Sequence, residues 1–225
     1  MGVRIKFCGM RSDDDIRVAV AAGADAIGFL TGLTHKSEDR LDPVDARHLI
    51  RRASPFLTTV LVTHLVDPRD VADLFRFVGA HAIQIHSDMS AEGVAWLRGH
   101  LPLVQMIKAI HVLDGSSADD VISQAQSFEP YVDGLLLDSR TVDRLGGTGQ
   151  THDWRVSGIV REAVGKPLVL AGGLKPENVG AAIRQVQPYA VDVNSGVENE
   201  AGDKDMARCE QFVAQARGTG TGQSR

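Results

Sequence analysis

The chain has 225 residues, of which 43% are apolar and 24% are charged, and this composition excludes a collagenous, low-complexity or disordered protein. Its 24 Lys and Arg stand against 29 Asp and Glu, which gives a net charge of −5. No run of basic residues is dense enough to indicate a nucleic-acid or membrane partner, so we expect neither, and the sequence carries no signal for the number of subunits.

The two cysteines, Cys8 and Cys209, lie near opposite ends of the chain and form no CxxC pattern. This excludes a disulfide framework and a cysteine-based metal motif. The first residues, MGVRIKFC, lack the long apolar segment of a signal peptide. The most apolar stretch, 16–33, is interrupted by Gly23 and Asp25, which argues against a membrane span. We therefore expect a reduced, cytoplasmic protein.

Short apolar runs rich in β-branched residues alternate along the chain with segments of helical periodicity. The runs are too short for helices and too continuous for half-exposed strands, which predicts buried parallel strands. In chain order the predicted strands are 3–7, 26–30, 58–62, 82–85, 103–107, 134–137, 168–171 and 190–193. The predicted helices between and after them are 14–22, 44–53, 68–78, 91–97, 118–126, 154–164, 176–186 and 204–216.

This alternation predicts an α/β fold, either an open doubly wound sheet or a closed (β/α)₈ TIM barrel. Eight strand–helix units in 225 residues favour the barrel. No break in composition marks a domain boundary, so we expect a single barrel domain over residues 1–217. The last residues, 218–225 (GTGTGQSR), have no apolar anchor and are predicted to form a flexible C-terminal tail.

Polar residues and glycines at the ends of the predicted strands are the candidates for function, because the loops after the strands form the active site of such a barrel. Strand seven ends in AGGLKPENV, where Gly172 and Gly173 let the backbone approach a ligand, and Asn194, Ser195 and Gly196 follow strand eight. Two glycine turns at adjacent strand ends favour a phosphate site built from N–H groups. The alternative is that these glycines only turn the chain.

Cys8 at the end of strand one and Asp138 at the end of strand six are candidates for a general base and a general acid. Both residues converge on the same barrel mouth, where they can act on one small substrate. Each also has a purely structural interpretation, as a small buried hydrophobe for Cys8 and as a helix cap for Asp138.

Six blocks of the sequence resemble the signature of the phosphoribosylanthranilate isomerase family, in its order and spacing, over most of residues 5–216. They are KFCG at 6–9, GADAIGF at 23–29, LLLDS at 135–139, GGTGQTHDW at 146–154, AGGLKPENV at 171–179 and VDVNSGVE at 191–198. The resemblance implies conversion of N-(5′-phosphoribosyl)anthranilate to 1-(2-carboxyphenylamino)-1-deoxyribulose 5-phosphate in tryptophan biosynthesis. This Amadori rearrangement uses neither a metal nor an organic cofactor.

The resemblance also implies roles for individual residues. In the family scheme Asp138 protonates the furanose ring oxygen, and the Cys8 thiolate removes the C2 proton that the C1 iminium acidifies. Because an ordinary thiol is mostly protonated at neutral pH, the scheme requires surroundings that lower the pKa of Cys8. Lys6, two residues earlier, shares the strand face of Cys8. The implied phosphate-binding residues are Gly147, Gly149, Gly172, Gly173, Ser195 and Gly196.

The loop after strand two departs from the family, which commonly has Ser-Pro-Arg there, with the Arg facing the anthranilate carboxylate. Here the stretch reads THKSEDRLDP. We predict that Arg40 binds the carboxylate, with Lys36 as the alternative, although the added acids Glu38 and Asp39 weaken anion binding. Two other functions stay open: an isomerase of this family with a different N-substituted phosphoribosylamine as substrate, and a non-catalytic phosphosugar-binding homologue.

His64, His86 and His111 fall near the ends of predicted strands three, four and five. Three imidazoles at adjacent strand ends can bind a metal, as His and Asp do in sugar-phosphate epimerases. His86, however, matches a histidine of the metal-free family. We therefore expect separate hydrogen-bonding roles for the three side chains and no metal.

Overall fold

The computed structural model describes residues 2–34, 36–113, 115–140 and 153–218, with the backbone alone at Ser139 and Arg140. Within these ranges eight parallel strands pair in chain order, and β8 pairs with β1 to close a barrel. The strands are β1 (Arg4–Phe7), β2 (Ala26–Leu30), β3 (Thr58–Thr63), β4 (Ala82–Ile85), β5 (Gln105–Leu113), β6 (Gly134–Arg140), β7 (Leu168–Leu170) and β8 (Ala190–Val193). The closed barrel confirms the predicted (β/α)₈ fold.

A helix follows each strand along the chain. The helices are α1 (Asp13–Ala22), α2 (Pro43–Arg52), α3 (Pro68–Val78), α4 (Ala91–His100), α5 (Ala118–Phe128), α6 (Trp154–Ala163), α7 (Pro176–Val186) and α8 (Met206–Gly218). Several begin after a serine whose hydroxyl accepts a backbone N–H of the first turn, namely Ser12, Ser90 and Ser117. Two short 3₁₀ helices, Glu129–Tyr131 and Ser195–Val197, are not predicted by the sequence patterns.

Alternation along each strand sorts side chains between the barrel interior and the layer beneath the helices. Phe7 and Phe29 point outward and are fully buried, and Phe7 packs against Phe212 of α8 with ring centroids 6.0 Å apart. Because Phe7 points outward, its neighbours Lys6 and Cys8 point into the barrel. Smaller residues fill part of the interior, including Ala109, Leu136, Val169, Ala171 and Ala190.

The predicted bounds are wrong for β5, which the sequence patterns place at 103–107. Leu103 is 96% exposed and belongs to the preceding loop, whereas the strand continues to Leu113. This continuation pairs with an equally extended β6, in which His111 lies opposite Asp138. Asp138 therefore does not end its strand. It lies within the extended pairing of β5 and β6, which places it beside His111.

The last helix ends where the described part of the chain ends. Helix α8 ends at Gly218, one residue beyond the predicted barrel domain, and residues 219–225 of the predicted tail lie outside the described residues. Within the described ranges, no helix combines the length and apolarity that a membrane span requires.

Candidate active site

A cavity of about 400 Å³ opens at the carboxyl ends of the strands, and its volume is in the range of small-molecule sites. Its wall brings together six of the predicted site residues, Cys8, Asp138, Gly172, Gly173, Ser195 and Gly196. Gly147 and Gly149 lie outside the described residues. Arg40 is exposed and does not belong to the wall that the described residues form.

Cys8 follows β1 directly and lies beside a buried ion pair. Lys6 Nζ donates a hydrogen bond of 2.7 Å to Asp192 Oδ2 of β8, and Lys6, Cys8 and Asp192 are 5%, 8% and 6% exposed. Gly28 of β2 provides the space for this group, since a Cβ at Gly28 would lie 2.8 Å from Cys8 Sγ and 3.1 Å from Lys6 Nζ. Lys6 therefore approaches the thiol, as their shared strand face suggests.

The pKa of Cys8 differs from the expectation. Burial raises the pKa of the thiol to about 11, and attraction of the thiolate to Lys6 and Lys204 offsets only part of this shift, while Asp192 adds to it. Burial also lowers the pKa of Lys6, but the carboxylate of Asp192 and the thiolate outweigh that effect and raise it overall. Lys6 is thus a positive charge beside the thiol, but the surroundings raise the pKa of Cys8, whereas the family scheme requires them to lower it.

Asp138 lies on the β4–β6 side of the cavity among imidazole rings. Its Oδ2 is 3.3 Å from Nε2 of His86, and the two side chains are only 11% and 12% exposed. The ring of His86 lies 4.9 Å from that of His64 and 4.8 Å from that of His111, measured between centroids. The three histidines of neighbouring strands therefore form one row, in which His86 contacts the candidate acid.

The turns after β7 and β8 hold their backbones against the cavity. Gly172 and Gly173 have φ values of 85° and 63°, a region that favours glycine. A Cβ at Gly196 would lie 1.9 Å from the carbonyl oxygen of Leu174, so the β8 turn packs directly on the β7 turn. Within the described part of the chain, the amides of Gly172 and Gly173 donate no hydrogen bond. The turn after β7 thus has two backbone N–H groups that can donate to a ligand.

The loop after β2 places an acid at the cavity where the sequence predicts a cation. Asp39 lines the wall, and its Oδ2 accepts a hydrogen bond of 2.7 Å from Nδ2 of Asn194. The Oδ1 of Asn194 in turn accepts a hydrogen bond of 2.7 Å from Nζ of Lys204, which also pairs with Glu198. These contacts attach the loop to the turn after β8. Arg40, next to Asp39, remains on the exposed surface.

Asp192 and Lys175 also line the cavity, and sequence reasoning did not identify them. Asp192 carries a detectable signal, because it is the single charged residue in predicted strand 190–193 and lies two positions before Asn194, on the same strand face. Lys175 carries a weaker signal, since a lysine at a helix start is common on protein surfaces.

A closed barrel with a thiol, a carboxyl group and two glycine turns at the mouth formed by the carboxyl ends of its strands is the architecture of a (β/α)₈-barrel enzyme. Residues 5–215 match the family model described as N-(5′-phosphoribosyl)anthranilate (PRA) isomerase. The chain is 39% identical over 217 residues to N-(5′-phosphoribosyl)anthranilate isomerase 2 of Methanosarcina mazei, covering 96% of this chain and 94% of the relative. It therefore belongs to the N-(5′-phosphoribosyl)anthranilate isomerase family, as its sequence blocks predict.

Solved structures agree with this membership. The crystal structure of phosphoribosyl anthranilate isomerase from Thermotoga maritima superposes with a TM-score of 0.83 at 33% identity, covering 96% of this chain and 99% of the other. A second isomerase structure, in complex with reduced 1-(o-carboxyphenylamino)-1-deoxyribulose 5-phosphate, has a TM-score of 0.80 at 32% identity, with coverage of 96% and 99%.

Proposed function

We propose that the chain converts N-(5′-phosphoribosyl)anthranilate to 1-(2-carboxyphenylamino)-1-deoxyribulose 5-phosphate, the isomerisation of tryptophan biosynthesis, with Asp138 as general acid and Cys8 as general base. The observation that carries this proposal is the convergence of Cys8, Asp138 and the two glycine turns on one cavity. Membership of the isomerase family supports the same reaction. The cytoplasmic location remains a prediction of the sequence.

The first step belongs to Asp138. Its carboxyl group carries the proton that opens the furanose ring at the ring oxygen and produces an iminium at C1. The Nε2 of His86, 3.3 Å from Asp138 Oδ2, is close enough to exchange a proton with the carboxylate after each turnover. Protonation of the ring oxygen and restoration of the acid can thus occur on the same side of the cavity.

The second step belongs to Cys8, whose thiolate removes the proton from C2. With a pKa of about 11 the thiol is predominantly protonated at neutral pH, so the thiolate needs additional positive charge. The attraction of Lys6 is already contained in this pKa, so the additional charge in the proposed complex is the C1 iminium that the first step creates. The thiolate is therefore favoured at the moment when the C2 proton becomes acidic.

The phosphate binds at the turns after β7 and β8 in this proposal. The N–H groups of Gly172, Gly173, Ser195 and Gly196 supply donors there, and Gly147 and Gly149 remain predicted contacts outside the described residues. Lys175, also in the wall, adds a positive charge close to Gly172 and Gly173 along the chain.

The contact between Arg40 and the anthranilate carboxylate remains a prediction. Since Arg40 is exposed and Asp39 lines the cavity, the contact requires the loop after β2 to rearrange around the substrate. The same observation favours a second candidate, a family isomerase with a different N-substituted phosphoribosylamine as its substrate.

Complementation of a tryptophan auxotroph that lacks the isomerase tests the proposal. Growth with the wild-type gene and no growth with the Cys8→Ala gene, at equal protein levels, are expected. If the wild-type protein is abundant and folded but neither supports growth nor turns over the anthranilate substrate in vitro, the substrate assignment is wrong. A non-catalytic homologue would bind the substrate without turnover.

A further inference from the structure

The acid side of the cavity holds a compact group of potential metal ligands. One atom each of His86, His111 and Asp138 lies within 4.8 Å of the other two. His86 Nε2 and Asp138 Oδ2 are 3.3 Å apart. With metal–ligand bonds of about 2.1 Å, tetrahedral coordination places ligand atoms ~3.4 Å apart, so this pair already has the required spacing. Small side-chain rotations bring in the third ligand.

The tautomer of His111 suits metal binding. Its Nε2 lies 3.2 Å from the backbone carbonyl oxygen of His86, and since a carbonyl only accepts, Nε2 must carry the proton. In the neutral ring the lone pair is then on Nδ1. A histidine whose second nitrogen donates to a backbone carbonyl is the usual arrangement of a metal-bound imidazole. His111 is held in place by the β5–β6 register, where it lies opposite Asp138.

Gln84 gives His86 a similar supporting contact. The Nε2 of Gln84 is 3.2 Å from Nδ1 of His86, while Gln84 Oε1 is buried and makes no hydrogen bond within the described part of the chain. A half-turn of the amide places Oε1 as acceptor for an Nδ1 proton of His86. The lone pair of His86 Nε2 then faces Asp138. The ring of His64, tilted by 39° with its centroid 4.9 Å from that of His86, restricts the rotation of the His86 ring.

We propose that His86, His111 and Asp138 bind a divalent transition metal of the Zn²⁺ type, in competition with the phosphoribosyl substrate. Two imidazoles and one carboxylate are ligands that such metals prefer, whereas Mg²⁺ and Ca²⁺ favour oxygen ligands alone. The metal would occupy the carboxylate that the proposed reaction needs as its acid. Metal binding and turnover therefore exclude each other, which makes the site inhibitory.

Calorimetric titration of the metal-free protein with Zn²⁺ tests the site, since it does not depend on turnover. The His111→Gln variant is expected to bind Zn²⁺ at least tenfold more weakly than the wild type. His100→Gln is the matched control, because His100 is exposed and stacks on Trp96, and its affinity should not change. Cys8→Ala should retain binding, which separates the histidine site from a thiolate site.

Equal Zn²⁺ affinity in the wild type and in folded His111→Gln would overturn the proposal, and so would loss of binding in Cys8→Ala alone. If His111→Gln does not fold, His86→Gln provides the same comparison. Competition is measured separately, as inhibition of turnover by Zn²⁺ that EDTA reverses; this arm rests on the proposed function. Zn²⁺ binding by a protein that turns over no substrate would leave the metal site intact and reject the reaction.

Discussion

The two sides of the cavity control their reactive groups in different ways. On the base side, Cys8 lies next to the buried ion pair of Lys6 and Asp192. On the acid side, Asp138 lies next to the imidazole of His86 and near that of His111, which can donate or accept protons. In the proposed reaction the base therefore depends on the buried ion pair beside it and on the substrate, whereas the acid depends on a proton that it exchanges with a neighbouring imidazole.

The largest expected effects come from removing the two reactive groups. Cys8→Ala and Asp138→Asn should each lower kcat by about 10² to 10⁴-fold, because general acid–base catalysis contributes that much. Both variants should bind inorganic phosphate as the wild type does, since the phosphate turns are at other strand ends. Steady-state kinetics at saturating substrate provide the measurement. A loss below tenfold in either variant would assign its role to another residue.

The next effect concerns the loop after β2, which is attached to the turn after β8 through Asp39 and Asn194. If Arg40 binds the anthranilate carboxylate, a charge-assisted contact of about 1.5–3 kcal/mol is lost in Arg40→Ala, and kcat/KM falls roughly 10 to 150-fold. Lys36→Ala is the control, and an analogue without the carboxylate should be nearly insensitive to Arg40→Ala. Equal losses with both substrates would mean that Arg40 orders the loop.

The fold and most of the wall could be predicted from the sequence, because they depend on local patterns. Apolar runs fix the strands, and strand ends must converge in a barrel, which brings Cys8 and Asp138 together. The extension of β5 could not be predicted from a local pattern, since it depends on pairing with β6 across the sheet. The high pKa of Cys8 could not be predicted from the sequence either, because it depends on how deeply the sulfur is buried.

A smaller effect concerns the packing around Cys8. Gly28→Ala puts a methyl group 2.8 Å from Cys8 Sγ, which is too close, whereas at Gly134 of β6 the nearest atom to an added Cβ is 3.4 Å away. Gly28→Ala should cost about 1–3 kcal/mol of stability by overpacking, and Gly134→Ala less than that. Urea unfolding of both variants measures the difference. Equal costs would show that the surroundings of Gly28 are no more tightly packed than those of Gly134.

The last prediction concerns the direction in which each charge moves the pKa of Cys8. Lys6 attracts the thiolate, so Lys6→Met should raise the pKa above about 11, whereas Asp192 repels it, so Asp192→Asn should lower the pKa. At a fixed, near-neutral pH the rate of alkylation by iodoacetamide follows the thiolate fraction. Alkylation should therefore slow in Lys6→Met and accelerate in Asp192→Asn.

Both variants are compared in a Cys209→Ala background, because Cys209 is the second thiol and burial raises its pKa to about 11 as well. Because the two substitutions are expected to change the alkylation rate in opposite directions, the experiment separates an effect of charge from an effect of exposure. A general loosening of the barrel would expose the sulfur and accelerate alkylation in both variants, whereas fixed charges acting on a buried thiol move the two rates in opposite directions. Equal acceleration would therefore contradict the view that Lys6 and Asp192 set the thiolate fraction of the base by charge.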